Sequence, residues 1–270
     1  MSRMIRLRNV GLSLLITCAV SLAASAQTVE KSLNCNDRGR SDRGSHCLIK
    51  EQAIAATGAL TVDGKKNGGV SVKGWERNEV LVRMQIQAWA ETDSEAQALT
   101  GQIRVETGGG NIHAEGPEAQ NREGWSVSYE IFAPYNSNLS LKTHNGGISV
   151  SNIRGQIQFD AHNGGVALKH LAGNVKGETH NGGVSIELAG NRWDGEGMDV
   201  KTTNGGISLR VPENYSAQLE TGTVNGRVSV DFPLTVQGEI KRELSVNLGN
   251  GGAKIRATTT NGGVSLKRKA

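Results

Sequence analysis

The amino-acid sequence predicts an all-β protein, a parallel β-solenoid of about 18–25 residues per coil with one short helix in a small N-terminal cap. Three observations predict this class: a recurring Asn-Gly-Gly motif, alternating apolar and polar residues between its copies, and a glycine-rich composition. The 270 residues include 36 glycines, nearly twice the usual share of about 7%. Because aromatic residues make up only 4% of the chain, its core must come from Val, Ile, Leu and Ala.

The motif is Asn-Gly-Gly followed by Val or Ile and then by a small residue. Asn and Gly tolerate the positive φ angles that sharp corners need. Periods near twenty residues are typical of stacked arrays, in which each unit buries its apolar face only against its neighbours. The Asn residues that begin the copies, some of them degenerate, are predicted to be structural turns: Asn67, Asn145, Asn163, Asn181, Asn204, Asn225, Asn250 and Asn261.

One unit shows how the period arises. Ile148 and Val150 alternate with serines, as in a half-buried strand. After a turn, Ile157 and Phe159 share one face of a second strand that leads to the next motif. Two strands of about six residues and two tight corners account for such a unit.

Asn-Gly between alternating apolar runs is also the strongest short-range hairpin signal, so an antiparallel sandwich or barrel remains an alternative. The solenoid is favoured because similar residues recur in phase. His144, His162 and His180 each precede an Asn of the motif and are 18 residues apart. Like residues are therefore expected to stack on like.

The chain divides into four predicted segments. Residues 1–26 combine three arginines, a short apolar run and a small-residue cleavage site, which is typical of a secretory signal peptide. A lipid anchor on Cys18 is the alternative. Residues 27–47 form a polar loop segment, residues 48–134 an irregular β-rich cap, and residues 135–270 the regular repeat.

The net charge and the cysteines limit the functions that the chain can have. The formal charge of +4 falls to +1 once the three arginines of residues 1–26 are left out, so the mature chain lacks the electrostatic footprint of a nucleic-acid-binding protein. Cys35 and Cys47 remain after cleavage, and an even number in an oxidising compartment predicts a disulfide. A metal site of Cys35, His46 and Cys47 is the alternative, although adjacent His46 and Cys47 converge poorly.

The segment before the regular repeat has its own signals. Val80–Ala90 alternates strongly between apolar and polar residues and predicts a strand. Thr92 and Glu95 form a capping-box pattern that opens a helix of about two turns over Ala96–Leu99. A solenoid exposes apolar groups and strand edges at its ends, so this segment is expected to cap one of them.

The motif copies carry a family resemblance. The string from Asn67 to Trp75, Asn-Gly-Gly-Val-Ser-Val-Lys-Gly-Trp, and the string Val-Leu-Val-Arg from Val80 resemble a bacterial family of envelope proteins proposed to be adhesins. The likeness extends from about Leu60 to Leu266, and Cys35 and Cys47 resemble a subset of that family. The resemblance implies a single-stranded right-handed β-helix, akin to the heads of autotransporter adhesins.

No catalytic motif stands out, so the column of His144, His162 and His180 is the main candidate for chemistry. Successive rungs of a solenoid lie about 4.8 Å apart, so the three imidazoles are expected to form a ladder. Such a ladder could bind a divalent metal ion or respond to pH. The alternative is a stack of partly exposed polar side chains beside the corner.

Two further possibilities concern carbohydrates. Some β-helix folds act on polysaccharides, and Asp160 and Glu178 are the carboxylates that stacking would bring together. Lys142 and Lys201 occupy neighbouring positions, which favours solvated ion pairs instead. Trp193 lies in an insertion and is a candidate for stacking on a sugar ring, with packing beneath a loop as the alternative.

The sequence therefore predicts an exported, non-enzymatic, adhesin-like protein, periplasmic or at the cell surface. Its partner is expected to be an envelope or extracellular ligand, either a glycan or a protein. No cofactor, no nucleic acid and no membrane-spanning segment of the mature chain are expected. A polysaccharide-acting enzyme, or an envelope protein that responds to metal or pH through the His column, is the alternative.

Overall fold

The computed structural model describes residues 33–35, 43–119, 122–233 and 242–269. The predicted signal peptide with Cys18, and residues 36–42 of the predicted disulfide loop, lie outside the described residues. All the described residues belong to one compact unit.

The described residues form twenty strands, one α-helix and a short 3-10 turn at Gly108–Gly110. The elements in chain order are β1 (Gly44–Ala55), β2 (Ala59–Asp63), β3 (Val70–Trp75), β4 (Glu79–Ala90), α1 (Asp93–Gln102), β5 (Arg104–Glu106), β6 (Asn111–Glu115), β7 (Gly124–Pro134), β8 (Asn138–Thr143), β9 (Ile148–Ser151), β10 (Arg154–Asn163), β11 (Val166–Lys169), β12 (Ala172–Asn181), β13 (Val184–Glu187), β14 (Gly197–Asn204), β15 (Ile207–Val211), β16 (Ala217–Asn225), β17 (Val228–Val230), β18 (Glu243–Leu248), β19 (Lys254–Asn261) and β20 (Val264–Arg268).

The strands form two ten-stranded sheets that are mainly parallel. Sheet A has the order β1-β4-β7-β3-β9-β11-β13-β15-β20-β17, and sheet B has the order β18-β16-β19-β14-β12-β10-β8-β2-β6-β5. Antiparallel pairs occur only toward the ends, such as β1 with β4 and β16 with β18. The central strands pair in the register of the motif, with Asn163 opposite Asn181. The all-β, solenoid-like prediction is confirmed, and the antiparallel alternative is wrong for the body of the fold.

A single core lies between the two sheets. Inward-facing Ile157 and Val175 of sheet B and Ile186 of sheet A are fully buried, while the residues between them face outward. This alternation is what a strand with one face against a core requires. Because the inward residues are mainly aliphatic along the stack, the core continues from coil to coil.

The helix α1 begins where the capping box predicted. The Thr92 hydroxyl accepts a hydrogen bond from the Glu95 amide, and the Glu95 carboxylate accepts one from the Thr92 amide. Ala96 and Leu99 are buried as the helix packs on β1 and β4. The helix covers strands at one end of sheet A, as expected of a capping segment.

The coils do not stack in chain order at either end. A coil here is a strand of sheet B followed along the chain by one of sheet A. The spatial order is β6–β7, β2–β3, β8–β9, β10–β11, β12–β13, β14–β15, β19–β20 and β16–β17. Coil β2–β3, from the segment predicted to be irregular, is thus part of the regular stack. Coil β19–β20, which contains the last strands of the chain, lies between two coils that precede it.

Candidate functional site: corners and exposed sheet faces

The motif corners form a continuous ladder of side-chain amides. Each Asn after the first donates through Nδ2 to Oδ1 of the Asn on the neighbouring coil, at 2.8–3.1 Å. Such amide ladders are known to reinforce in-register parallel stacking. In spatial order the ladder contains Asn67, Asn145, Asn163, Asn181, Asn204, Asn261 and Asn225.

Asn250 is outside this ladder. It follows a turn after β18, and its amide donates to Ser216 Oγ at 3.2 Å. The chain from Gly249 to Ala253 passes the start of β16 here and leads β19 into its place between β14 and β16. The glycines of this copy therefore serve a crossing connection, with positive φ at Gly251 and Gly252, rather than a stacked corner.

Beneath the amides lies a second ladder, of buried threonine hydroxyls. Each hydroxyl donates to the carbonyl oxygen of the first glycine of a motif, at 2.7–2.8 Å. Its members are Thr143, Thr179, Thr202, Thr259 and Thr223. Four of them reach the glycine of the neighbouring coil, whereas Thr143 reaches Gly146 of its own coil. Ala161 is the register partner of Thr143 and Thr179 and has no hydroxyl to offer, so Thr143 supplies the bond to Gly146.

The amide ladder gives a direct prediction about Asn181. Asn181→Asp is expected to lower the free energy of unfolding at neutral pH by about 1 kcal/mol, because a carboxylate cannot donate to Asn163 and sets two oxygens against each other. Asn67→Asp is the matched control, since the Asn67 side chain only accepts, from Asn145. Chemical denaturation of both variants checks this. Equal losses in the two variants would contradict the directional ladder.

The predicted His column is present as a stack of rings. The centroids of His144 and His162 are 4.6 Å apart with planes 4° from parallel, and those of His162 and His180 are 5.2 Å apart at 2°. A metal ion binds in the plane of an imidazole, at about 2.0–2.1 Å from its nitrogen, so parallel stacked rings do not converge on one ion. Within the described part of the chain, no three His, Cys, Asp or Glu side chains form a metal-binding group.

Outward side chains of sheet B form a charged column in which two neighbouring carboxylates lie between two lysines. Asp160 lies between Lys142 and Glu178 in the strand register, and Glu178 lies next to Lys201. These residues line a shallow groove of about 490 Å³. The two carboxylates are therefore on adjacent rungs, as predicted, and each has a lysine on its other side.

The structure contradicts the prediction that Trp193 is available to stack on a sugar ring. Its side chain is only 6% exposed and packs in the main core, and its indole N–H donates to the Gly173 carbonyl at 3.0 Å. The ring thus fills space beneath the insertion and presents no face to a sugar. The reason is the left-handed Gly173 corner, whose carbonyl needs a donor that the indole supplies.

The two cysteines are joined. The disulfide Cys35–Cys47 has a Cα–Cα distance of 5.6 Å and ties residues 33–35 to β1. Gln85 of β4 donates to the Asn34 carbonyl at 2.5 Å, so the tied segment also contacts the second strand of the sheet. The alternative metal site at Cys35 and Cys47 is therefore wrong.

Near this segment, sheet A contains a buried carboxylate. Glu130 is 3% exposed. Its carboxylate lies 2.5 Å from the Arg83 guanidinium and 3.5 Å from the Lys73 ammonium. Arg83 also contacts Glu51 at 2.6 Å, and its hydrogen bond to Glu51 raises the pKa of the guanidinium. The two cations offset the free-energy cost of removing the Glu130 carboxylate from water.

The C-terminal tail reaches back to the middle of sheet A. Lys269 Nζ lies 2.6 Å from a Glu187 carboxylate oxygen, and His170 Nε2 lies 3.0 Å from the same oxygen. The hydrogen bond from Lys269, together with that from His170, lowers the pKa of Glu187 to about 2. The sequence offered no signal for this cluster, because its members are far apart in the chain.

This cluster predicts a pH-dependent effect of Lys269→Ala. With its folded pKa lowered, Glu187 stabilises the fold above its ordinary pKa of 4.5, and the contribution is lost as pH falls toward about 2. The variant is expected to be less stable than the wild type at neutral pH, with the difference disappearing across that window. Unfolding curves measured against pH check this. Lys267→Ala, on the same face without an ion pair among the described residues, is the control; an equal pH-dependent loss there would contradict the assignment.

The chain matches one family model and has distant similarity to several solved structures. A family model described as Toastrack DUF4097 matches residues 48–267. A structure from Clostridium sporogenes, named for a proposed role in cell adhesion, is 12% identical with a TM-score of 0.45, covering 83% of this chain and 100% of that one. A proposed adhesin from Bacteroides fragilis is 10% identical with a TM-score of 0.36, covering 83% and 97% of the two chains.

A proposed lipid-binding protein from Parabacteroides distasonis is 12% identical with a TM-score of 0.29, covering 82% of this chain and 96% of that one. No curated protein is similar enough to the chain to count as a match. Of the helices that the described residues form, none combines the length and the apolar character needed to span a membrane.

Proposed function

The chain belongs to the Toastrack DUF4097 family, and from that premise we propose that it is an exported, non-enzymatic, adhesin-like protein of the bacterial cell envelope. It binds an envelope or extracellular ligand through the exposed faces of its solenoid. The coil is proposed to be right-handed with about 18–25 residues per turn, since parallel strands joined by a crossover are right-handed in nearly all proteins.

One observation carries this proposal: the in-register stacking of the motif. The seven-membered Asn ladder fixes neighbouring coils so that equivalent outward residues form straight columns along both sheets. Repeat proteins use such extended, regular surfaces to bind partners. The columns offer many weak, evenly spaced contacts, which suits a repetitive ligand better than a small substrate.

Export is supported by the disulfide together with the character of residues 1–26. Disulfides persist in the periplasm and outside the cell and are rare in the cytosol. The stabilisation expected from closing this short loop is about 3 kcal/mol in the chain-entropy account. The chain would thus be most stable where its cysteines are oxidised.

Cell fractionation with intact-mass analysis tests the export proposal. The expected result is a mature chain without residues 1–26, unlipidated, oxidised at Cys35 and Cys47, and recovered outside the cytoplasm. Recovery of the full-length reduced chain from the cytoplasm would overturn it. A mass that includes acyl chains on Cys18 would replace the soluble form with a lipid-anchored one.

Two alternatives have specific observations in their favour. The opposed Asp160 and Glu178 on adjacent rungs are what a polysaccharide-acting enzyme would need, and a screen on acidic and neutral polysaccharides with Glu178→Gln as control tests it. The stacked imidazoles favour a response to pH. Comparing ligand binding by the wild type and His162→Gln at acidic and neutral pH tests that response. Turnover abolished by Glu178→Gln would overturn the non-enzymatic role.

A further inference from the structure

The outer face of sheet A carries a line of cations, here called the basic row and defined as Lys73, Lys169, Arg210 and Lys267. All four occupy one column of the strand register, with Ser151 between the first two and Glu187 between the second and third. Neighbouring strands are about 4.8 Å apart, so Lys169 and Arg210 are separated by roughly 10 Å along the stack.

The acidic groups in this column are already engaged. Glu187 is held by Lys269 at 2.6 Å and by His170 at 3.0 Å. Asp231, at the far end of the column, accepts a hydrogen bond from the Arg268 amide at 3.1 Å. The side chains of Lys169, Arg210 and Lys267 are exposed and form no ion pair with any residue that the structure describes.

Sheet B of the same coils has no such excess. In one of its columns Lys176 is followed by Asp199, Arg256 and Glu220, so that each charge has an opposite charge beside it. Arg256 lies 3.5 Å from the Asp199 carboxylate. The basic row is therefore a property of one face and does not follow from the overall charge of the mature chain.

The surface beside the basic row is low, because its side chains are small. The next two columns consist almost entirely of serines and glycines. Because these residues are small, the longer side chains of the basic row project beyond them. The serine column is Ser71, Ser149, Ala167, Ser185, Ser208, Ser265 and Ser229, and the glycine column is Gly69, Gly147, Gly165, Gly183, Gly206 and Gly263, with Arg227 in the last coil. A row of cations beside a column of serine hydroxyls is complementary to a linear polymer that carries both anionic groups and hydroxyl groups.

We propose that this face of sheet A binds a linear acidic polysaccharide, whose carboxylate or sulfate groups pair with Lys169, Arg210 and Lys267 of the basic row while its sugar hydroxyls contact the serine column. The inference rests on the proposed binding function and names its ligand class and surface. A single-stranded nucleic acid fits less well, because the two columns beside the row offer no aromatic side chain on which bases stack. An anionic membrane fits less well, because the row is one residue wide and the serine and glycine columns carry no large apolar side chain that could insert into lipid.

The test uses the mature protein with polygalacturonate, dextran sulfate and neutral dextran as probes, measured by calorimetry at low and physiological ionic strength. Two further probes test the competing ligand classes. Vesicles of phosphatidylglycerol and phosphatidylcholine represent a membrane, and a single-stranded oligodeoxythymidine represents a nucleic acid. Lys169→Gln/Arg210→Gln/Lys267→Gln removes three charges from the basic row. Lys142→Gln/Lys176→Gln/Lys201→Gln removes three exposed charges from sheet B and is the matched control. Thermal unfolding confirms that both variants are folded.

The expected result is binding of an acidic polysaccharide but not of neutral dextran, weakened about tenfold or more by the basic-row substitutions and less than about twofold by the control. Equal weakening by both variants, or equal binding of acidic and neutral polymers, would overturn the proposal. Preferential binding of the vesicles or of the oligonucleotide would overturn the proposal and identify a membrane or a nucleic acid as the ligand. If the protein is exported and binds another envelope ligand regardless of the basic row, this inference fails while the proposed function stands.

Discussion

Gly164→Ala is expected to lower the free energy of unfolding by about 3 kcal/mol or more, the range typical of backbone clashes in a packed interior. A Cβ atom on Gly164 would lie closer than 3.0 Å to the Gly146 carbonyl oxygen, which already accepts the Thr143 hydroxyl. Because the obstacle is backbone of the neighbouring coil, no rotamer change relieves it. The midpoint of thermal unfolding should fall by roughly 6–12 °C for a unit of this size.

The adjacent Gly165 provides the control within the same corner. A Cβ atom there would lie 3.5 Å from the Gly183 carbonyl oxygen, which is ordinary contact. Gly165→Ala is expected to change the free energy of unfolding by less than about 0.5 kcal/mol, as exposed substitutions usually do. If both variants unfold at the wild-type temperature, the corners are not packed backbone against backbone as described.

Deletion of Lys254–Ala270 is expected to abolish cooperative folding. The deletion removes β19 and β20, which pair with β14 and β15 on one side and with β16 and β17 on the other. The coil β16–β17 would lose its neighbour, and the apolar faces of two coils would be exposed at once. Circular dichroism and urea titration of the truncated chain measure the loss.

A chain that ends at Arg268 is the control for this truncation, since it lacks Lys269 and its contact with Glu187 but keeps the whole coil. It should unfold cooperatively with a stability loss of about 1 kcal/mol or less. If the chain without Lys254–Ala270 retains a sharp transition close to that of the control, coil β19–β20 is not an interior coil. In a solenoid stacked in chain order, the same deletion would remove only one end.

Local features of the fold were predictable from the sequence because local chemistry determines them. The alternation in Val80–Ala90, the capping box at Thr92 and Glu95, and the corner glycines each depend on a few consecutive residues. The stacked rings of His144 and His162 also followed, because equivalent positions of adjacent repeats meet whenever the repeats stack in register.

The order of the coils was not predictable, for a physical reason. Every corner carries the same Asn and Gly groups, so the ladder bonds are equally good whichever copies are neighbours. Asn261 bonds Asn204 and Asn225 with distances of 2.8 Å, matching those between copies that are consecutive in the chain. The adjacency of Arg210 and Lys267 in the strand register of the basic row arises only from this order. The burial of Trp193 depends likewise on a distant carbonyl.

The interleaved coils have a consequence for how the protein is made. Synthesis on the ribosome proceeds from the N-terminus and domains generally fold as units. Here the strands made last, β19 and β20, complete the contacts between coils made before them. We therefore expect coils β14–β15 and β16–β17 to lack the coil that joins them until β19 and β20 have been synthesised, so that this part of the stack closes late in folding.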